Sequence, residues 1–284
     1  MPESDRSNAE GCSVALIVSG PHVDPDEITN RVGLEPTFTR RVGDRLPSGN
    51  RSIERGLWKL SIDGPTPVGA PKLASELART LLGRLPTTPE ASSQLHRDGD
   101  VAMGFVFGLA PLLTFSYELD AAVVQRLAEL GASLEFYLLD GSEKPPGRRF
   151  GSSDGQYTVE VRIHGKDLDP GDVTRALGLE PTLSRRAGEP STRGAKRVCP
   201  EGVWCFGVVR EGLAEMNELA RELFDRFPVG SDAWAKLCRE HAVEVRFSFI
   251  VGTSTGHFDL DTEMVRKLAT FGHSLVFSFF DFEE

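Results

Sequence analysis

The sequence is poor in cysteine: Cys12, Cys199, Cys205 and Cys238 are all it has. They form no C-x-x-C pair and no regular framework, which excludes a disulfide scaffold and reads as free thiols in a cytoplasmic protein. Long apolar runs are missing as well. The longest stretch without charge, Val101–Tyr117, is interrupted by Gly104, Gly108 and Pro111. A bilayer-spanning helix needs about 20 consecutive apolar residues, so no membrane segment is expected. The opening MPESDRSNAE has three acids and one Arg, without the basic region of a secretory signal. Positive charge is in deficit, with 32 Lys and Arg against 42 Asp and Glu and a net charge of −10. Such a chain as a whole repels phosphate backbones and anionic membranes, which argues against nucleic-acid and membrane partners. Hydrolase, metalloprotease, P-loop and dinucleotide motifs are all absent.

What is present is ordinary in composition and unusual in arrangement. Apolar residues make up 39% and charged residues 26% of 284 residues, enough for two globular domains. The chain repeats itself. Gly20, Asp24, Pro25, Thr29, Gly33, Leu34, Glu35, Pro36, Thr37, Arg40, Arg41 and Gly43 all recur 145 residues later, from Gly165 to Gly188. Leu119, Asp120, Val124, Leu127, Ala128, Gly131, Ser133, Leu134, Phe136 and Asp140 recur from Leu260 to Asp281. Between these blocks, Gly56-Leu57-Trp58 answers Gly202-Val203-Trp204. The unit is too long for a solenoid repeat, so each copy reads as a domain: residues 11–140 and 156–284. The Gly/Ser/Pro-rich stretch 141–155 reads as the linker.

Within a copy the grammar is local. Tyr157, Val159, Val161 and Ile163 alternate with polar residues, the pattern of a half-buried strand. Asp24-Pro25 and Asp169-Pro170 open a helix, with Glu27 completing a capping box, and Gly33 and Gly178 end it. Leu73, Leu77, Leu81 and Leu85, and Leu213, Met216, Ala220, Leu223 and Phe227, line one helical face each. Val243, Val245, Phe247 and Phe249 mark another strand. Asp120 and Asp261 cap a last helix before a final strand holding Leu134 and Phe136, or Leu275 and Phe277. The order β-α-β-α-(α)-β-α-β predicts an α+β class: two tandem copies of an α/β sandwich domain. Each has a mostly antiparallel sheet of four or five strands with helices on one face. Trp58 and Trp204, in strands after a glycine, are expected to be buried.

These residues carry a resemblance. S-G-P-H-V-D-P-D-E-I-T, G-L-E-P-T, R-R-V-G-D and G-L-W, closed by L-A-E-L-G-A-S-L-E-F-Y, resemble the bacterial domain-of-unknown-function family 4279. The second copy is similar to the same family through G-K-D-L-D-P-G-D-V-T, G-L-E-P-T, R-R-A-G-E and G-V-W. The family carries no established activity, so the resemblance implies no catalytic residue. The first copy departs from the pattern at Pro111–Leu113, where an apolar stretch replaces a polar loop.

The candidate site is the arm between the first helix and the tryptophan strand. In Phe38–Gly56, five arginines (Arg40, Arg41, Arg45, Arg51 and Arg55) face two acids. In Leu183–Gly202, Arg185, Arg186, Arg193, Lys196 and Arg197 again face two. Guanidinium forks suit carboxylate and phosphate groups. Arg40, Arg41, Arg45, Arg185, Arg186 and Arg193 are therefore candidate anion- or partner-binding residues, with Trp58 and Trp204 beside them. Equally, the arginines could pair with the domain's own acids, such as Glu35 and Glu180, and stack on the tryptophan. The expectation is one internal and one external arginine in each pair. Cys199, Cys205, Cys238 and His241 have atoms that suit zinc, but the first copy has none of them in matching places. No metal and no cofactor are expected. His22 and His164 are out of register, which argues against a shared catalytic histidine, and Asp140 and Asp281 read as strand-ending turn acids, with a general-base carboxylate as the alternative. The reading is a non-catalytic binding or regulatory protein, an internal pseudo-dimer with an unknown protein partner, for instance an immunity-like binder. The alternative is an enzyme or small-anion sensor using the paired arginines.

Overall fold

The computed structural model describes residues 11–45, 52–65, 71–86, 95, 99–108, 115–139, 156–190, 198–211, 216–251 and 256–281. The expectations for Arg51, Pro111–Leu113, Asp140, the linker 141–155, Arg193, Lys196, Arg197 and Leu213 lie outside them, as does the side chain of Asp281.

The first repeat contains β1 (Cys12–Gly20), α1 (Pro25–Val32), β2 (Phe38–Arg40), β3 (Gly56–Gly64) and α2 (Leu73–Leu82). It continues with β4 (Asp100–Gly108), β5 (Phe115–Leu119), α3 (Ala121–Leu130) and β6 (Ser133–Leu139). The second contains β7 (Gln156–Gly165), α4 (Pro170–Leu177), β8 (Leu183–Arg185), β9 (Gly202–Glu211), α5 (Met216–Arg226) and α6 (Asp232–Glu240). It closes with β10 (Ala242–Val251), β11 (Gly256–Leu260), α7 (Thr262–Phe271) and β12 (Ser274–Asp281). The α+β class holds in both repeats.

The chain forms two compact units, and they do not follow the repeats. One comprises residues 1–150 together with Thr253–Gly272; the other comprises Gly151–Gly252 and His273–Glu284. In the first unit the sheet runs β11-β6-β4-β1-β3-β2. All neighbours are antiparallel except β4 and β6. Six strands stand where four or five are expected. The short β2 and β11 are the difference, because three and five residues are too few for a period-two pattern to register. Within the second unit the order is β12-β10-β7-β9-β8, again with one parallel pair, β10 and β12.

One face of each sheet is the core. Val14, Leu16 and Val18 of β1 are fully buried, as are Val159, Val161 and Ile163 of β7. Packed on β1 and β3 is the apolar stripe of α2, and α5 covers β7 and β9. Asp24 and Asp169 cap their helices by accepting from the N–H of Asp26 at 2.9 Å and of Gly171 at 2.8 Å. Glu27 does not turn back to close a capping box; it pairs with Arg31 at 2.9 Å, one turn along the helix. Asp120 and Asp261 accept from the N–H of Val123 and Met264, at 3.0 and 2.8 Å.

Trp58 and Trp204 are completely buried. Each indole N–H donates to a helix threonine, Thr29 or Thr174, at 3.1 Å. That accounts for the recurrence of both threonines, since a buried N–H without an acceptor is costly. The glycines two positions earlier are forced by close approach. A Cβ on Gly56 or Gly202 would stand 2.2 Å from the carbonyl oxygen of Val23 or Leu168.

Candidate functional site

The arm begins where β2 ends. Arg41-Val42-Gly43-Asp44 closes a tight turn, with the Asp44 N–H donating to the Arg41 carbonyl at 3.2 Å. The Asp44 side chain in return accepts from the Arg41 N–H at 2.8 Å. Gly43 has φ 90°, a left-handed value that a side chain would strain. Its N–H donates to the Ile53 carbonyl, and the Ile53 N–H donates to the Asp44 carbonyl, both at 2.8 Å. The arm thus returns on itself, and Arg45 bridges Ser52 across it. In the second repeat, Arg186-Ala187-Gly188-Glu189 makes the same turn. Gly188 has φ 85°, and Cys199 takes the place of Ile53. Glu189 accepts from the Arg186 N–H at 3.1 Å, so the longer side chain performs the same closure.

The guanidinium groups find partners on the first helix of each repeat. Arg41 Nη2 lies 2.6 Å from Asp26 Oδ2 and 2.8 Å from Oδ1. Arg186 Nη2 lies 3.2 Å from Asp169 Oδ2. The sequence points to Glu35 and Glu180 as internal partners; the acids that Arg41 and Arg186 meet are instead Asp26 and Asp169, because each arm folds back over the helix N-terminus. Asp26 raises the Arg41 pKa above its ordinary value. The N–H of Gly171 and the nearby Arg186 hold the Asp169 carboxyl below the usual range. Both pairs are exposed: Arg41 retains 56% and Arg186 64% of its side-chain accessibility.

Arg40 lies half-buried in β2 with its guanidinium carbon 5.5 Å from the Phe38 ring centre. Arg185 is the matching residue of β8 and is likewise half-buried. Arg45 is exposed. Trp58 and Trp204 present no face to a ligand and leave the candidate site for the core. The cysteines also separate. Cys238 Sγ lies 3.0 Å from His273 Nε2, while Cys205 is buried in β9 and Cys199 lies in the arm. Burial pushes the Cys205 thiol up to about 12 and the Cys238 thiol up to about 11, which keeps both protonated at neutral pH. Among the described residues no three His, Cys, Asp or Glu side chains are grouped to hold a metal ion. His22 is exposed, whereas His164 Nδ1 sits 2.9 Å from Glu201.

A second charged cluster escapes sequence reading. On the sheet face opposite the core of the second unit, Glu160 and Arg162 of β7 lie beside Arg246 and Glu244 of β10. Arg246 Nη2 meets Glu244 at 2.7 Å, Arg162 Nε is 3.8 Å from Glu244, and Arg246 Nε is 3.9 Å from Glu160. Burial raises the Glu160 pKa, outweighing the lowering effect of the two arginines. The alternation of β7 and β10 marks these positions only as polar; their mutual neutralisation depends on register.

Fold and arms together define a class: tandem α+β repeats, each closing a turn over its first helix with a paired arginine. The chain belongs to the domain-of-unknown-function family DUF4279, whose profile matches residues 10–141 and again 155–281. No curated protein and no solved structure matches it. No helix among the described residues is long and apolar enough to cross a membrane.

Proposed function

We propose that the chain is a non-catalytic binding or regulatory protein whose two repeats present similar arginine-bearing arms to a protein partner. An immunity-like blocker is one concrete form of it. The supporting observation is what the recurring polar residues do. Asp24 and Asp169 cap helices, and Thr29 and Thr174 hold the tryptophans. Thr37 and Thr182 bond the neighbouring strand. Arg41 and Arg186 recur at the surface, where ion pairs add little to stability. Exposed guanidinium groups held at matched places suit carboxylates on a partner.

The test is affinity purification of the tagged full chain from its native cell. The expected result is one co-purifying protein that is lost from the Arg41→Ala, Arg186→Ala double variant while the melting temperature barely moves. If no protein co-purifies and inorganic phosphate raises the melting temperature of the wild type but not of that variant, the alternative small-anion sensor replaces this reading.

A further inference from the structure

We infer that the β6 edge is a strand-receiving surface whose partner is the β11–α7 segment of the other repeat. The two repeats are therefore one interlocked particle rather than beads on a linker. This goes beyond the proposed function and does not depend on it. β5 and β11 occupy the same place in their repeats: Leu119-Asp120 ends one and begins its helix as Leu260-Asp261 does the other. Yet the place beside β6 in the first sheet is held by β11, and β5 is not among that sheet's strands. Gly256–Leu260 pairs antiparallel with residues 134–138 of β6, with Phe258 opposite Phe136 and Asp259 opposite Glu135.

The side chains show that this pairing is built in. Phe258 stacks on Phe136 with ring centres 4.5 Å apart, and Phe136 stacks on Phe105 at 5.1 Å, so the incoming ring extends a stack already present in the core. Leu260 is fully buried and Phe258 nearly so. The following helix α7 packs along α3, its counterpart in the first repeat, and the Thr262 hydroxyl donates to the Gly131 carbonyl at 3.1 Å. Met264, Val265 and Leu268 on α7 are wholly buried. An edge strand and a helix with this much apolar surface belong to the unit's core. Without them the β6 edge would expose unpaired backbone groups and the α3 stripe would face water.

The test cuts the chain where the repeats join. A specific protease site is placed within residues 141–155 of the full chain, the folded protein is cleaved to completion, and the product is diluted and sized by light scattering. The expected result is a single particle with the full-chain mass, which separates into two fragments only in denaturant. Two particles under native conditions would overturn the inference. A second measurement reads the strand itself. The Glu135→Cys, Asp259→Cys pair, oxidised and then cleaved, should run at full-chain mass on a non-reducing denaturing gel. The control pair Glu135→Cys, Glu118→Cys joins residues of one fragment and should not do so. If the control forms its disulfide and the Glu135–Asp259 pair does not, β6 receives β5 and the inference fails.

Discussion

The two repeats agree on the faces that touch helices and part company on the faces that do not. Val14, Leu16 and Val18 of β1 match Val159, Val161 and Ile163 of β7 in place and in burial. One residue along, Ala15 and Ile17 stand where the second repeat has Glu160 and Arg162, and the cross-strand partners Gly104 and Ala102 stand where it has Arg246 and Glu244. A small apolar patch in one unit is a neutralised charge quartet in the other. The helix-covered face has to fill a close-packed space, which tolerates few volumes. The opposite face accepts either solution, although Arg162 Nε and Arg246 Nε of the quartet stand there buried without a hydrogen-bond partner among the described residues.

The arms carry a smaller version of the same lesson. Asp26, the partner of Arg41, corresponds to Gly171 in the second repeat. There Arg186 turns to the capping carboxylate Asp169, which both caps the helix and holds the arginine. The second repeat keeps the pairing without a counterpart of Asp26 because its capping carboxylate itself lies within the guanidinium's reach.

The largest expected effect tests the shared face. Trp58→Ala and Trp204→Ala should each cost about 3–5 kcal/mol, as large core truncations do, by urea denaturation. A loss under about 1 kcal/mol at one of them would break the equivalence of the cores.

Next comes the diverged face. Glu244→Ala leaves two partly buried arginines short of an acceptor and should cost about 1.5–3 kcal/mol. Importing the first repeat's solution, Glu160→Ala, Arg162→Ile, Glu244→Ala and Arg246→Gly together, should recover most of that loss, since apolar replacement of a buried ion cluster is often neutral. If the quadruple variant is less stable than the single one, the two faces are not alternative solutions.

The same cluster has a pH signature. Burial raises the folded-state pKa of Glu160 above its ordinary 4.5. The stability linked to its protonated form is present at lower pH and is lost as pH rises through the raised value. Glu160→Gln should flatten that part of the stability profile in denaturant melts taken at increasing pH; an unchanged slope would refute the assignment.

Smaller again are the caps. Asp120→Ala should cost about 0.5–2 kcal/mol, and Asp261→Ala a similar amount. The Asp120 N–H donates to the Ser75 hydroxyl and its carboxylate pairs with Arg79; against the opposing effect of burial, the Val123 N–H, Ser75 and Arg79 hold that carboxyl below 3.8. Its contribution is present above that pH and fades as pH falls through the lowered value. Least of all, Asp26→Gly, which imports the second repeat's residue, should shift the melting temperature less than either cap variant. The Arg41 ion pair that it removes is exposed.

Much of this was legible in the residues. Asp-Pro before a helix, glycine after it, and apolar alternation in β7 are interactions across four residues or fewer, so the chain states them locally. The R-V-G-D turn is equally local, but its closure of an arm is not, because Ile53, which bonds back to Gly43 and Asp44, is remote from them in sequence. Arg41 and Arg186 do pair with acids of their own domain, but with Asp26 and Asp169 rather than with Glu35 and Glu180, the examples the sequence suggests. Those glutamates are nearer in sequence; Asp26 and Asp169 are nearer in space once β2 and β8 pair beside β3 and β9.

By itself the sequence determined the repeat, the helix caps at Asp24, Asp120, Asp169 and Asp261 and the apolar face of β7 and β10, since each follows from short-range sterics and the period of the backbone. Only the tertiary structure decided which carboxylate each arginine meets, that the charges of β7 and β10 neutralise one another, and that β11 rather than β5 lies beside β6. A five-residue strand carries the same backbone donors and acceptors toward any open edge. Which edge it takes is set by what its side chains bury there, and for β11 that is the stack of Phe105 and Phe136.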